Sequence, residues 1–397
     1  MMALAVSLMA CGEGDHTVPT INQVNGDKDD DKSDDTVDSD AMYSWEKDRT
    51  EIPDFTDMVL CYGGGHARTP YYWMSSRLQS YVSYTDPDNV EHWLFDAFLF
   101  LEFADTGSGG SNVSYVTGHL DSSTGLPLNS ATQDDWQTLI DYLFSDTYNL
   151  VALDKEVATV ASRIGEPPTK RKVIISIPEP IQYLNTGDTS SSRTYWGKVD
   201  NKTLDFSKTD DRVTACKWFI DKVRARFNAK NFKNIELAGF YWLAEKSTYT
   251  EAILPSVAKY LHQFKYSFNW IPYYNATGYS NWQNYGFDYA FLQPNYFFTT
   301  TIPVSRLKDA INLADKASMN LEMEFDENVL AYYASPKATR LSDYMDAFRT
   351  YDVWEKKRIA YYQGNSAVHY LRLSTNATDQ ELYHEFCNFV ITRPLRP

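Results

Sequence analysis

From Asp57 onward, short β-rich runs alternate with longer amphipathic stretches, and the pattern recurs eight times. The runs are Met58–Gly63, Trp93–Phe103, Lys172–Pro178, Ile235–Leu243, Tyr266–Tyr273, Tyr289–Tyr296, Leu321–Phe325 and Arg358–Gln363. Val, Ile, Phe and Tyr dominate them, side chains that pack well on a pleated surface. Several are almost continuously apolar, as in Val173-Ile-Ile-Ser-Ile177. A strand covered on both faces has no polar side, so such runs suit a parallel sheet. Between them, Thr209–Asn228 spaces Val213, Ala215, Trp218, Phe219, Val223 and Phe227 as a helix does, with Asp210 or Asp211 expected to cap its start. Asp134–Ala161, Ala252–Phe264, Val304–Ala317, Lys337–Trp354 and Gln380–Thr392 read the same way, and Tyr71–Val82 is a shorter case.

Repeated strand–helix units imply parallel neighbours joined by right-handed crossovers. Eight units predict an α/β fold closed as a (β/α)8 TIM barrel, with a doubly wound open sheet as the rival. No linker breaks the pattern, so residues 57–397 are expected to form one domain. Its long loops, Ala104–Ala131 and Glu179–Asp210, follow the second and third runs and belong on the C-terminal face of a barrel.

The chain opens with a short apolar run, too short to span a bilayer, which takes about 20 residues. Leu8-Met9-Ala10-Cys11 resembles a bacterial lipobox. The resemblance implies a signal peptide over residues 1–11, lipidation of Cys11, and a protein anchored to the outer membrane or cell surface, touching membrane through that lipid only. Residues 12–57 then carry 15 acidic and 4 basic side chains, a net of −11 out of −16 for the whole chain. So charged and apolar-poor a stretch cannot offset its own ordering entropy, so residues 12–56 are expected to be a disordered tether. Asp27, Asp29 and Asp31 hint at a calcium loop, but Lys32 stands where the turn needs Gly and Asp38 where Glu is expected. With 37 basic against 53 acidic residues the chain lacks a nucleic-acid footprint. Four cysteines are too few for a disulfide framework.

A barrel builds its active site at the C-terminal ends of its strands. The fourth run leads into Glu245, and the seventh reads Leu321-Glu-Met-Glu-Phe-Asp326, so Glu322, Glu324 and Asp326 share one side of the strand. Acids facing a barrel interior are costly unless paired or functional. Glycoside hydrolysis needs two carboxyls about the scissile bond. Glu245 and Glu324 are the candidate catalytic pair, with Glu322 beside them and with Glu102 and Glu179 as rival acids on the same face. The other reading of these acids is a helix cap at Glu245 and a salt bridge at Glu322. Tyr241, Trp242, Trp270, Tyr273, Trp282, Tyr296 and Tyr362 lie in or just after strands, part of an aromatic content of 15%. Flat rings stack on sugar C–H faces, while Gln293, Asn295 and Gln363 offer neutral hydrogen bonds, so an oligosaccharide or polysaccharide partner is expected. Half of such rings would serve as core. His66 and Arg68, after the triple glycine at 63–65, are further candidate contacts. No metal or cofactor is expected: the histidines are scattered, and His384-Glu385 meets Asn388 where a zinc motif needs His.

The placement of acids after strands four and seven resembles the clan of retaining barrel glycosidases. That resemblance implies Glu245 as acid/base, Glu324 as nucleophile, and retention of configuration. One departure is Ala244, where the clan has Asn. The phrases Met58-Val-Leu-Cys-Tyr-Gly-Gly-Gly-His66, Trp93-Leu-Phe-Asp-Ala-Phe-Leu-Phe-Leu-Glu102, Gly239-Phe-Tyr-Trp-Leu-Ala-Glu245 and Glu322-Met-Glu-Phe-Asp326 are similar to the domain of unknown function 4855 family, over about Asp57 to Arg396. That family, largely from Bacteroidetes and related bacteria, implies a secreted, glycan-related protein and no particular reaction. A non-catalytic carbohydrate-binding lipoprotein and an extracellular adhesion protein are the alternatives.

Overall fold

A computed structural model describes residues 42–63, 72–121, 124–185 and 187–396. Eight parallel strands close into a barrel: β1 (Asp57–Tyr62), β2 (Ala97–Leu101), β3 (Arg171–Ile177), β4 (Ile235–Trp242), β5 (Ser267–Trp270), β6 (Tyr289–Leu292), β7 (Asn320–Phe325) and β8 (Ile359–Gln363). Closure runs through β1, which pairs with β2 (Leu60 opposite Leu99) and with β8 (Met58 opposite Ala360). All eight expected runs are strands, and the open sheet is excluded. Burial of both faces explains the lack of polar alternation: β1, β2 and β3 are buried at every residue. Gly239 sits where β4 shifts register against β3. A Cβ there would lie 1.9 Å from Ser267 Oγ and 2.5 Å from the Ser267 carbonyl, so only glycine lets β4 and β5 approach.

The helices differ from expectation in ways that have local causes. The stretch 134–161 divides into Gln133–Leu143 and Leu150–Ile164. Asn149 breaks it with a left-handed φ of 54°, its amide bonding the Tyr142 carbonyl at 2.8 Å. Thr209–Lys230 begins without a side-chain cap. Asp211 instead accepts the Asp205 N–H at 2.9 Å and pairs with Lys202. A helix at Ala367–Leu373 was not foreseen, because its seven residues hold too few turns to show a period. Among the described residues no helix is long and apolar enough to cross a membrane.

The two long loops are organised rather than open. The first carries a three-stranded sheet of Ala104–Thr106, Asn112–Ser114 and Asn129–Ser130. The second docks on it, with Ser130 N–H donating to the Leu184 carbonyl at 2.6 Å.

The expected tether was to run to residue 56. Residues 42–56 are folded against the barrel, and the charge average concealed a partner for Glu46. Glu46 is fully buried and takes both Arg224 Nε and Nη2 at 2.7 Å, with the Tyr266 hydroxyl at 2.6 Å. Phe55 closes the N-terminal end, 5.3 Å from the Tyr289 ring and 6.3 Å from the Phe291 ring. Residues 12–41, Cys11 and the Asp27–Asp31 motif lie outside the described residues.

On the opposite end the exits of β7 and β8 are tied. Glu327 Oε1 accepts the N–H groups of Asn365 at 3.0 Å and Ser366 at 2.6 Å. The tie needs Gly364, whose φ is 62° and whose added Cβ would stand 2.5 Å from Glu327 Oε2. Gly364→Ala is therefore expected to destabilise the protein by about 2 kcal/mol, read as a drop in the urea midpoint at unchanged slope. An unaltered midpoint would contradict the tie.

Candidate active site

Glu322 and Glu324 are separated by one residue on β7, so the strand's two-residue period sends both to the barrel interior. Both are 2% exposed. Glu245 lies three residues past the end of β4 and is half-buried. β5 and β6 separate these two strands in the barrel wall. The residues leaving β6 span the gap.

Gln293 Nε2 donates to Glu245 Oε1 at 2.9 Å. Its other amide atom, Oε1, accepts Asn295 Nδ2 at 3.2 Å. Asn295 Nδ2 also lies 3.3 Å from Glu324 Oε1, and Asn295 N–H donates to Glu324 Oε2 at 2.6 Å. That backbone donor is aimed by a left-handed φ of 50° at Asn295, a conformation Asn tolerates better than most residues. The Tyr344 hydroxyl completes the set at 2.7 Å from Glu324 Oε2. Glu245 and Glu324 are thus joined through two amides, and every hydrogen-bond partner of the pair is neutral.

The electrostatics follow from this geometry. Burial raises Glu245 above an ordinary glutamate, and the Gln293 amide pulls the other way. Burial pushes Glu324 up to about 7, opposed by the Tyr344 and Asn295 hydrogen bonds and supported by the charge of Glu245. Glu322 stands far above the carboxylate range, first from burial and then from the charges of Glu324 and Glu245, and its Oε1 has no hydrogen-bond partner. The charge of Glu245 raises both strand acids and that of Glu324 raises Glu322, so Glu322 and Glu324 titrate as a pair rather than singly. The donors that favour a charge converge on Glu324, which has three against one on Glu245. Buried Tyr241 lies behind them, its phenol raised by burial and then by Glu245 and Glu322.

Several expected contacts lie elsewhere. Trp242 packs on Phe268 and Trp270 on Phe287, both tryptophans fully buried, and Trp270 Nε1 bonds the Ala244 carbonyl at 2.8 Å. Trp282 is 6% exposed and bonds the Ala317 carbonyl at 2.8 Å. Their position beside strand ends does not distinguish cleft from helix-facing core. Tyr296 is buried under Arg340 and bonds Asp343 at 2.6 Å. Gln363 is buried between the Tyr81 hydroxyl and the Leu60 carbonyl. Asp326 turns away to cap Glu327–Val329. Glu102 shapes the loop leaving β2 by accepting Phe103 N–H at 2.7 Å, and Glu179 pins Thr117 through its N–H at 2.7 Å and hydroxyl at 2.8 Å. Both rivals for catalysis therefore hold loops. Tyr273 and Tyr362 are half-buried at the strand exits. His66 and Arg68 lie outside the described residues. Tyr344 was missed: within its amphipathic helix, Ala338–Thr350, it is indistinguishable from a core ring. Among the described residues no group of His, Cys, Asp and Glu has the arrangement of a metal site.

Solved structures similar to the chain include a chitinase and concanavalin B. The ICChI chitinase from Ipomoea carnea is 11% identical with a TM-score of 0.37, the match covering 84% of this chain and 99% of that one. Concanavalin B is 10% identical with a TM-score of 0.37, covering 83% and 98%. No curated protein matches the sequence. Residues 57–388, the whole barrel but its last turn, match a family defined as a domain of unknown function, and the chain belongs to that family, DUF4855.

Proposed function

We propose that the protein is a glycoside hydrolase whose two catalytic carboxyls are Glu245 and Glu324. The observation that carries this reading is the amide bridge Glu245–Gln293–Asn295–Glu324, which brings acids from two strands to one end of the barrel. Glu324 has three donors to stabilise its charge, which suits a nucleophile, or a base that activates water. Glu245 has a single amide partner and reaches solvent, which suits a group that protonates the leaving oxygen and takes the proton back from water. Retention, with Glu324 attacking the anomeric carbon, is the form proposed. Cys11 lipidation would carry the enzyme at the cell surface, and Cys11→Ala is expected to release it from membranes.

The test is release of reducing ends from a panel of plant and host glycans. Glu245→Gln should slow cleavage of natural glycans by roughly 10²–10⁴. It should leave a dinitrophenyl glycoside nearly unaffected at the glycosylation step, because that leaving group needs no proton. Equal losses on both substrates would remove Glu245 from the acid role. Sugar binding without cleavage by the wild-type protein would leave a binding protein in place of an enzyme.

A further inference from the structure

An arc of aromatic rings begins beside the candidate nucleophile and follows the barrel mouth. Glu324 stands opposite Tyr362 in the β7–β8 register. The Tyr362 ring meets Phe298 edge-on at 5.6 Å on one side and Tyr62 at 5.5 Å on the other. Tyr62 in turn meets Phe103 at 5.9 Å. Phe103, Tyr362 and Phe298 are half-buried, whereas Tyr62 between them is buried. The four rings come from the exits of β2, β1, β8 and β6, and the Phe298–Tyr362 pair brackets β7, the strand that carries Glu324.

The loop bearing Phe298 is held in place. Lys337 Nζ bonds the Phe298 carbonyl at 2.8 Å, and Arg340 Nη2 lies 3.2 Å from the carbonyls of Thr299 and Ile302. A ring fixed in this way binds with little ordering cost. The charge of the site selects the ligand further. Among the described residues Glu245, Glu322 and Glu324 form no ion pair, and the hydrogen-bond partners of Glu245 and Glu324 are amides and a phenol. A uronate or sulfate laid beside them would meet uncompensated negative charge.

We propose that Phe103, Tyr362 and Phe298, with buried Tyr62 packed between the first two as backing, form the platform on which an uncharged pyranose of the substrate lies, with its glycosidic bond directed at Glu324. This deepens the hydrolase reading and rests on it. The arc supplies the apolar plane that the buried tryptophans do not, because stacking on a sugar's C–H face needs an accessible ring.

The experiment uses the Glu324→Gln protein, which holds a glycan without cleaving it, in titration calorimetry. The probes are β-1,4-linked hexaoses of glucose, xylose, mannose and N-acetylglucosamine, with hexagalacturonate as the charged control. At least one neutral hexaose should bind, and hexagalacturonate should bind more weakly than it. Phe298→Leu and Phe103→Leu, which keep apolar bulk but lose the plane, should each weaken the neutral hexaose roughly three- to tenfold. Phe298→Trp should restore binding. Unchanged affinity in both Leu variants, or a preference for hexagalacturonate, would overturn the platform while leaving the hydrolase reading standing. Failure of every probe to bind, together with an inactive wild-type protein on the glycan panel, would overturn both.

Discussion

Glu324→Gln will erase hydrolysis and at the same time stabilise the protein, increasingly so as pH rises. The loss of activity should reach roughly four orders of magnitude or more, the scale on which removal of a nucleophile acts. The gain in stability has a separate cause. Glu324 is 2% exposed and is pushed up to about 7, mainly by burial, from an ordinary value of 4.5. Below the ordinary value it is protonated in both folded and unfolded chains and costs nothing. Between there and neutrality the unfolded chain gives up the proton and the folded one resists, so wild-type stability falls with pH. Above the folded value the penalty is constant, at about 3 kcal/mol. Gln carries no such charge, and its carbonyl still accepts from Tyr344 and the Asn295 N–H. Its loss also removes one charge that raises Glu322, in the same direction. Urea denaturation of both proteins at pH 4.5 and pH 8 measures the difference. Curves that stay parallel across that range would show that Glu324 is not confined as described.

Glu46→Ala should cost about 3–5 kcal/mol, although it removes one carboxylate from the most acidic part of the chain. Arg224 would remain 1% exposed, with its Nη1 on Asp221 at 2.9 Å and with Nε and Nη2 stripped of their partner. A buried guanidinium that keeps Asp221 but loses its bidentate carboxylate is what makes the single change severe. Glu46→Leu combined with Arg224→Met should recover part of the loss, because an apolar pair avoids the desolvation that the ion pair only just offsets, while buried Asp221 loses its cation. Chemical denaturation of the single and double variants gives the coupling. If Glu46→Ala were neutral, residues 42–56 would be tether after all.

The catalytic proposal was legible at the level of which acids, and illegible at the level of what they touch. Glu322 and Glu324 stand out because a carboxylate inside an apolar strand run is expensive, and strand parity puts them on one face. Gln293 and Asn295 were visible as polar residues at a strand end, but as sugar contacts; in the structure their amides are spent on Glu245 and Glu324. The tryptophans misled for the same reason that the acids did not. A buried acid implies a purpose, whereas a buried Trp is at home in any core, so only the fold could show that Trp242, Trp270 and Trp282 are buried.

Local order sufficed for the eight strands. Continuous apolar runs between amphipathic stretches admit few arrangements, and period-two alternation assigns each strand residue a side whatever its neighbours are. Partnership across the chain has no such local signature. Glu46 meets Arg224 178 residues away, and Asn295 meets Glu324 29 residues away, only because the barrel closes and brings the exits of β4, β6 and β7 to one rim. Those meetings decide which acids hold protons and which segments fold, since both depend on burial and on the donors nearby, and neither exists until distant residues are packed together.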